Sequence, residues 1–517
     1  MKRLLIISRW LHKYLGLLLV LFLMWMSLSG VLMNHPDMIS GVSVQGWLVP
    51  QQYHIKNWNR SAIVSLVYSQ KNSHIAYAAG KEGAWISTDG GVTFSEMIEG
   101  LPDSRYYRKI SHLWLHEGEA GSLLLAATSR GLYACALPEQ QWQPVNLGEE
   151  PEPVRKILTV GDALMIFTDS HAYRSKLPPA RLHFEQINLM RQNSENRVSL
   201  VKLFFDLHDG KAWGLPGKLL FDAVGVVMFF LSLSAFYSWY YPWKRKRENA
   251  QKRRQGSRPM RRLFKWFLKY HLKLGIWTAA ILLLIGGTGF FMRPPLLAVI
   301  AEGSVARSWY PGALPDSPWH EKIQNVLYDA VDDKLVIAAT DGLWTAPADF
   351  SQPFRELELD VPIFVMGATV FEPYGSGGYL VGSFNGLYHW QRATGTSVDM
   401  LTGKEAGEVS SVRPAEKMIT GYFQTPQGDI LINTHEQGIL AFDATSNYEV
   451  LQLPESLQND YRMPLWNYLF EIHNGRFFAD VIGKWYILVV PLGSLLFLLI
   501  TLSGVFDWLY LKLRRVR

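Results

Sequence analysis

Cysteine is almost missing from this chain. Cys135 is the only one among 517 residues, so a disulfide framework is excluded, as is a C-x-x-C-H motif. No G-x-G-x-x-G follows a strand pattern, and the polar segments assigned below to the cytoplasm are too short for a flavin or nicotinamide domain. The sequence after the first apolar run, "GVLMNHPDM", offers no small-x-small cleavage site, so that run reads as an uncleaved anchor although Lys2, Arg3 and Arg9 precede it. Charge is nearly absent inside the apolar runs, and no broken-helix signal interrupts them, which disfavours a haem or metal transporter.

What is present is apolar bulk. Hydrophobic residues make up 48% of the chain and there are 19 tryptophans, yet mean hydropathy is only +0.02. The average conceals two kinds of segment. Runs at 14–33, 219–241, 274–292 and 485–509 are each long enough to span a hydrocarbon core of ~30 Å. Polar, strand-like stretches fill about 40–200 and 296–465. The connector 244–265 holds eleven Lys/Arg and one Glu, and the chain ends "KLRRVR". Positive-inside bias then predicts both termini and the connector in the cytoplasm and both polar stretches outside. It also accounts for the basic connector without nucleic acid.

"STDGGVTF" (87–94) resembles the Asp-box found on hairpins of β-propeller blades. It sits in a wider repeat of strand, turn, Gly and aromatic or apolar residue: "AAGKEGAWIS", "AATSRGLYAC", "FTDSHAYRS", "AATDGLWTA", "VGSFNGLYHW" and "INTHEQGILAF". Three units fall in each stretch at blade spacing. Three blades cannot close a ring, and an open set would expose sheet edges. One six-bladed propeller split three and three is therefore predicted, the competing architecture being two separate β-sandwiches. The Asp-box is expected to be a structural turn, because no cluster of acids accompanies it.

The apolar segments are duplicated. His12, Gly16, Gly30 and Met33 recur as His271, Gly275, Gly289 and Met292, each displaced by 259 residues. "LFFDLHDGKAWGLPGK" (203–218) matches "YLFEIHNGRFFADVIGK" (468–484), aligning His208 with His473 and Asp206 with Glu471, and "LSLSAFYSW" matches "ITLSGVFDW". The repeat unit is helix, β-rich stretch, helix. His12 and His271 begin helices entering from the cytoplasm, whereas His208 and His473 precede helices re-entering from outside. Packing about a two-fold axis along the membrane normal would bring one histidine from each half together in each layer. Facing imidazoles in an apolar bundle are natural axial ligands for haem iron; the competing role is interfacial anchoring. From His12 to Met33 is about 21 residues, or roughly 32 Å, so one haem cannot serve both layers. Ser29 and Thr288 read as small packing positions, and His35 as a loop residue.

"WLHKYLGLLL", "LHDGKAWGLPGKLL" and "LSGVFDWLYLKLRR" resemble the PepSY-associated transmembrane family of bacterial inner-membrane proteins, which includes haem-containing ferric-siderophore reductases. The resemblance covers the four membrane segments and their flanks, and no PepSY-like segment accompanies it. It implies haem b, with His12, His208, His271 and His473 as cofactor-binding and iron-ligating residues, and the two separated histidine layers then make the expectation two per chain. With no C-x-x-C-H the haem is held non-covalently, and no separate catalytic residue is expected.

The expected organisation is an α+β membrane protein with four transmembrane helices in two tandem repeats. Residues 1–35 form the first transmembrane helix, 36–200 a periplasmic β-rich half-domain, and 201–243 an outer-interface segment and second helix. The basic connector 244–265, a third helix within 266–295, a second half-domain at 296–465 and a closing segment, helix and tail at 466–517 follow. The expected function is an inner-membrane electron conduit that reduces a ferric chelate, such as a ferric siderophore, in the periplasm. The donor would be membrane quinol or a separate cytoplasmic reductase; lipid is the other partner. The alternative is a membrane-anchored propeller that binds or scaffolds without redox activity.

Overall fold

The computed structural model describes residues 2–516 except 120, 149, 178–181, 193–196, 251–257, 364–366, 376, 407–416, 443–450 and 460. Part of the basic connector thus lies outside the described residues. The chain forms two compact units. One comprises Met1–Ile39, Asn196–Leu314 and Leu465–Arg517, the other Ser40–Glu195 and Pro315–Pro464.

The first unit is helical. Its long helices are α1 (Lys2–Met33), α3 (Gly214–Ala250), α4 (Arg258–Phe291) and α6 (Val489–Val516); two short helices, α2 (Leu200–Asp209) and α5 (Leu465–His473), precede α3 and α6. Four helical segments are long and apolar enough to cross a membrane. They pack as a closed square in which α1 and α4 each touch both α3 and α6. Leu19, Leu23, Val224, Met228, Leu282, Phe497 and Ile500 fill the middle. In lipid the apolar side chains are not driven together by water, so close packing and small residues hold such a bundle.

The motif "LHDGKAWGLPGK" is a tight elbow. Ser199 caps α2 by accepting from the Lys202 amide at 3.2 Å. Gly210 then ends α2 in the left-handed region at φ 81°. A Cβ there would stand 2.6 Å from the Gly217 carbonyl oxygen, and one at Gly217 only 2.2 Å from that of Gly210. Glycine at both is what lets the short helix fold back on α3. Gly475 follows α5 at the same φ of 81°, but a Cβ at Gly483, the counterpart of Gly217, would meet nothing within 4 Å, so the second repeat keeps the left-handed glycine without the close glycine–glycine approach.

Residues 304–314 belong with the helices, although the second β-rich stretch was expected to begin at 296. Ser304–Ala306 pairs antiparallel with Arg197–Ser199, and Tyr310 Oη donates to buried Asp206 at 2.9 Å. These contacts tie the segment to α2.

The second unit contains six consecutive antiparallel meanders, here blades 1 to 6. Blade 1 is Ser65–Tyr68, Ala76–Gly80, Gly83–Ser87 and Ser95–Glu96; blade 2 is Ile110–Gly118, Gly121–Thr128, Gly131–Leu137 and Trp142–Val145; blade 3 is Val154–Val160, Ala163–Thr168, Ala172–Lys176 and Glu185–Ile187. Blade 4 is Ile323–Asp329, Lys334–Ala339, Gly342–Pro347 and Arg355–Leu357. Blade 5 starts at Val370–Tyr374 and has five strands, and blade 6 has Ile419–Gln424, Ile430–Thr434 and Gly438–Ala441. The first strand of each blade meets the next blade's first strand, and that of blade 6 meets blade 1. The ring is therefore one six-bladed propeller with three blades from each half.

Ring closure concentrates at two tryptophans. Where blade 6 meets blade 1, Trp58 is fully buried, donates its indole N–H to Leu451 O at 3.0 Å and packs edge-on against Trp85 and Phe94. Where blade 3 meets blade 4, Trp319 does the same with Leu189 O at 2.9 Å, Trp344 and Phe354. These are the two places where the chain's halves adjoin. Buried Asn433 reinforces the first seam, donating to Trp58 O and Ile63 O at 3.1 and 2.7 Å.

The Asp-box is a turn, as its sequence predicts. Asp89 accepts from the Val92 and Thr93 amides at 3.1 and 2.9 Å, and Gly91 N–H reaches Ser87 Oγ at 2.9 Å. The Thr93 hydroxyl and amide hold the Asp89 carboxyl down to about 2.

Candidate functional site

Local structure sets each of the four histidines on a helix of the bundle unit. His12 lies near the start of α1 and His271 on α4; their ring centroids are 6.2 Å apart and their planes perpendicular. His208 and His473 sit in the last turns of α2 and α5, just before the elbow glycines. Burial draws His208 down to about 4 and, with His208 nearby, His473 to about 3. Both are therefore neutral imidazoles at ordinary pH.

Each of these four histidines is hydrogen-bonded through Nδ1. His12 Nδ1 meets Ile500 O at 2.9 Å and Ser503 Oγ at 3.1 Å. His271 Nδ1 meets Ser234 Oγ at 2.8 Å. His208 Nδ1 meets Ile285 O at 3.1 Å and Thr288 Oγ1 at 3.0 Å. His473 Nδ1 meets Ser29 Oγ at 2.8 Å. A carbonyl can only accept, so Nδ1 of His12 and His208 carries the proton. The other two follow from counting. A hydroxyl owns one proton, and Ser29 Oγ spends it on Trp25 O at 2.8 Å and Ser234 Oγ on Leu231 O at 2.9 Å. Each hydroxyl then has only lone pairs left for the imidazole. Assigning each hydroxyl proton to its own helix carbonyl in this way gives all four histidines the Nδ1–H tautomer and leaves the Nε2 lone pair free to bind a metal.

The hydroxyls come from the opposite repeat in every case. His12 of the first repeat takes Ser503 of the second, and His271 of the second takes Ser234 of the first. His208 takes Thr288, and His473 takes Ser29. The layers are well separated: His12 and Ser29 are 17 positions apart on α1, as are His271 and Thr288 on α4, or about 26 Å along either helix.

Small residues flank the rings. A Cβ at Gly504 would stand 3.0 Å from His12 Cε1, one at Gly289 3.1 Å from His208 Cε1, and one at Gly30 3.6 Å from His473 Cε1. Two positions before each histidine of the second layer lies a buried carboxylate. Asp206 accepts from Tyr310 and pairs with Lys202 at 3.1 Å, while Glu471 pairs with Arg476 at 2.8 Å.

Sequence reasoning placed the histidines but gave the hydroxyls no role beyond small packing positions. The matched strings "LSLSAFYSW" and "ITLSGVFDW" carry Ser234 and Ser503 in register, which was the available signal. His35 lies in the loop after α1, as read from the sequence, and there pairs through Nε2 with Asp222 Oδ2 on α3 at 2.7 Å, while Asn34 donates to the same carboxylate at 2.9 Å.

Comparison with known proteins adds the following. Among solved structures, the chain resembles the extracellular domain of the putative one component system BT4673 from B. thetaiotaomicron, at 10% identity and a TM-score of 0.34, covering 75% of this chain and 40% of that one. YCF48 from Cyanidioschyzon merolae gives 10% identity and 0.30, over 74% of this chain and 94% of that one. The GH74 xyloglucanase from Xanthomonas campestris gives 10% and 0.32, over 75% and 46%. The chain thus spans well under half the length of the first of these. No curated protein matches. The PepSY-associated TM region matches residues 9–510, nearly the whole chain with its propeller inserted between the helices, and the chain belongs to that family.

Proposed function

We propose that the chain is a transmembrane electron conduit of the bacterial cytoplasmic membrane that carries two haem b groups and reduces a ferric chelate on the outer side. The observation that carries this reading is the pair His12 and His271. A metal–imidazole bond is about 2.0–2.1 Å, and each nitrogen lies roughly 1.1 Å from its ring centre, so two imidazoles on one metal place their centroids about 6.3 Å apart. His12 and His271 stand at 6.2 Å with both Nε2 atoms free. The donor set therefore fits a bis-histidine iron, and the glycines beside the rings leave room for a flat macrocycle. Bound haem supplies a one-electron carrier whose potential follows from its axial ligands and surroundings.

The chain's residues do the rest. His12 and His271 would hold one haem near the cytoplasmic face, and His208 and His473 the other near the outer face. The core between them, Leu23, Met228, Leu282 and Phe497, excludes water along the path. With both imidazoles of a layer engaged, neither would be open to substrate, so a ferric compound would have to receive its electron across the protein edge. A chelate whose iron is already wrapped by hard oxygen donors suits this, because Fe(II) binds such donors less tightly and is released. Lys and Arg of the connector support cytoplasmic termini and a periplasmic propeller. Electrons would enter from quinol or a separate cytoplasmic reductase.

The test is an absorbance spectrum of the purified full chain with a haem-to-protein ratio. Two haems per chain are expected. His12→Ala or His271→Ala should perturb one and leave the other intact, and His208→Ala or His473→Ala the reverse. Wild-type protein without haem absorbance would sink the reading.

A further inference from the structure

We propose that Ser29, Ser234, Thr288 and Ser503 are positioning residues that fix each histidine for metal binding through Nε2 and set how strongly it donates to the metal. The proposal rests on the haem reading above and adds what tunes those sites.

A hydrogen bond from Nδ1–H polarises the imidazole and pushes electron density toward Nε2. A ligand enriched in this way stabilises the ferric state over the ferrous and lowers the reduction potential. The hydroxyls are built to accept. Thr288 Oγ1 returns its proton to Leu284 O at 2.8 Å and Ser503 Oγ to Ile500 O at 2.7 Å, as Ser29 and Ser234 do within their own helices. Four residues on four helices share one arrangement, and all four are nearly or fully buried, Ser29 and Ser234 at 0% exposure. Buried hydroxyls bonding to their own helix backbone are common. Four that each also receive an imidazole from the opposite repeat, in matching pairs, are a built feature.

The pairs are not identical. His12, His208 and His271 share Nδ1–H between a backbone carbonyl, of Ile500, Ile285 and Leu231 in turn, and a hydroxyl, whereas the hydroxyl is the close contact of His473. Loss of a hydroxyl should therefore be felt in either layer, and only in the layer it serves.

The experiment is a spectroelectrochemical titration of the purified, haem-loaded full chain. Thr288→Val keeps the side-chain shape and removes the acceptor, while Thr288→Ser keeps the acceptor. Outer-shell changes at such ligands typically alter metal affinity 10–100-fold. A tenfold loss of ferric preference corresponds to about 59 mV for a one-electron couple. Thr288→Val should raise the midpoint of the haem held by His208 and His473 by at least that much, or release it, and leave the other midpoint in place. Ser503→Ala should do the same to the haem held by His12 and His271. Thr288→Ser should titrate as the wild type. Unmoved midpoints in both Thr288→Val and Ser503→Ala, or equal shifts in Thr288→Val and Thr288→Ser, would overturn the proposal while leaving the haem reading standing. A wild-type chain without haem is the separate failure of that reading.

Discussion

The bundle and the propeller are both built from two copies of one unit, but they have kept different parts of it. In the bundle, chemistry repeats position by position: His12 with His271, His208 with His473, Ser29 with Thr288 and Ser234 with Ser503. In the propeller only strand pattern, seam and ring position repeat. The Asp-box at 87–94 has no counterpart in the second half, and blade 5 has five strands where blade 6 has three among the described residues. If two imidazoles hold a metal between them, as proposed, almost no displacement would be tolerated and both halves would have to match there. A blade has only to cover its neighbour's apolar face, and many sequences do that.

The largest test of this comparison is all-or-none. A reporter active only outside the cytoplasm, fused after residue 150 or after residue 400, should be active in both cases, because one propeller cannot be divided by a membrane. A fusion at 248–258 should be silent. Activity after only one of 150 and 400 would break the equivalence of the halves.

The seams sharpen it further. Trp58→Ala and Trp319→Ala each delete a buried indole packed on two aromatic rings, a change that costs about 3–5 kcal/mol. If the seams are equivalent, thermal melting of the purified chain should fall by similar amounts for the two variants. A drop confined to Trp58→Ala would assign closure to the blade 6 and blade 1 junction alone.

The smallest expected effect lies at the unrepeated Asp-box. Asp89 is held at about 2 by Thr93, below its unfolded value of about 3.9. A depressed carboxyl stabilises the fold above the unfolded value, and that contribution fades as pH falls from about 4 toward 2. Asp89→Asn should therefore melt slightly below the wild type at pH 7, and the gap should close by pH 2. Since Asp89 is solvent-exposed, the gap is small; a gap that persisted unchanged at pH 2 would contradict a charge-based turn.

What the sequence made legible follows the same division. The histidines could be found because matched motifs, displaced by 259 positions for His12 and His271 and by 265 for His208 and His473, are visible in one dimension. Their hydroxyl partners could not be assigned, because Ser503 lies 491 positions from His12 and only the fold makes them neighbours. The blades were visible through their strand–turn–Gly repeats. The seam tryptophans were not, since Trp58 sits at φ 60° in an irregular loop whose sequence has no strand or helix period. Residues 304–314 were assigned to the wrong stretch for a similar reason: a three-residue strand pairing carries too little pattern to reveal its partner.

The crossing of histidines and hydroxyls between repeats makes each half incomplete without the other. A lone repeat holding His12 and Ser234 would leave both without partners, yet two copies related by a two-fold axis would satisfy every one, residue i reaching j while j reaches i, as in an isologous dimer. Three blades likewise complete a ring only with three more. Carrying both repeats on one chain, joined through residues 244–265, keeps every histidine's hydroxyl partner always present, whereas two separate copies would have to meet by concentration.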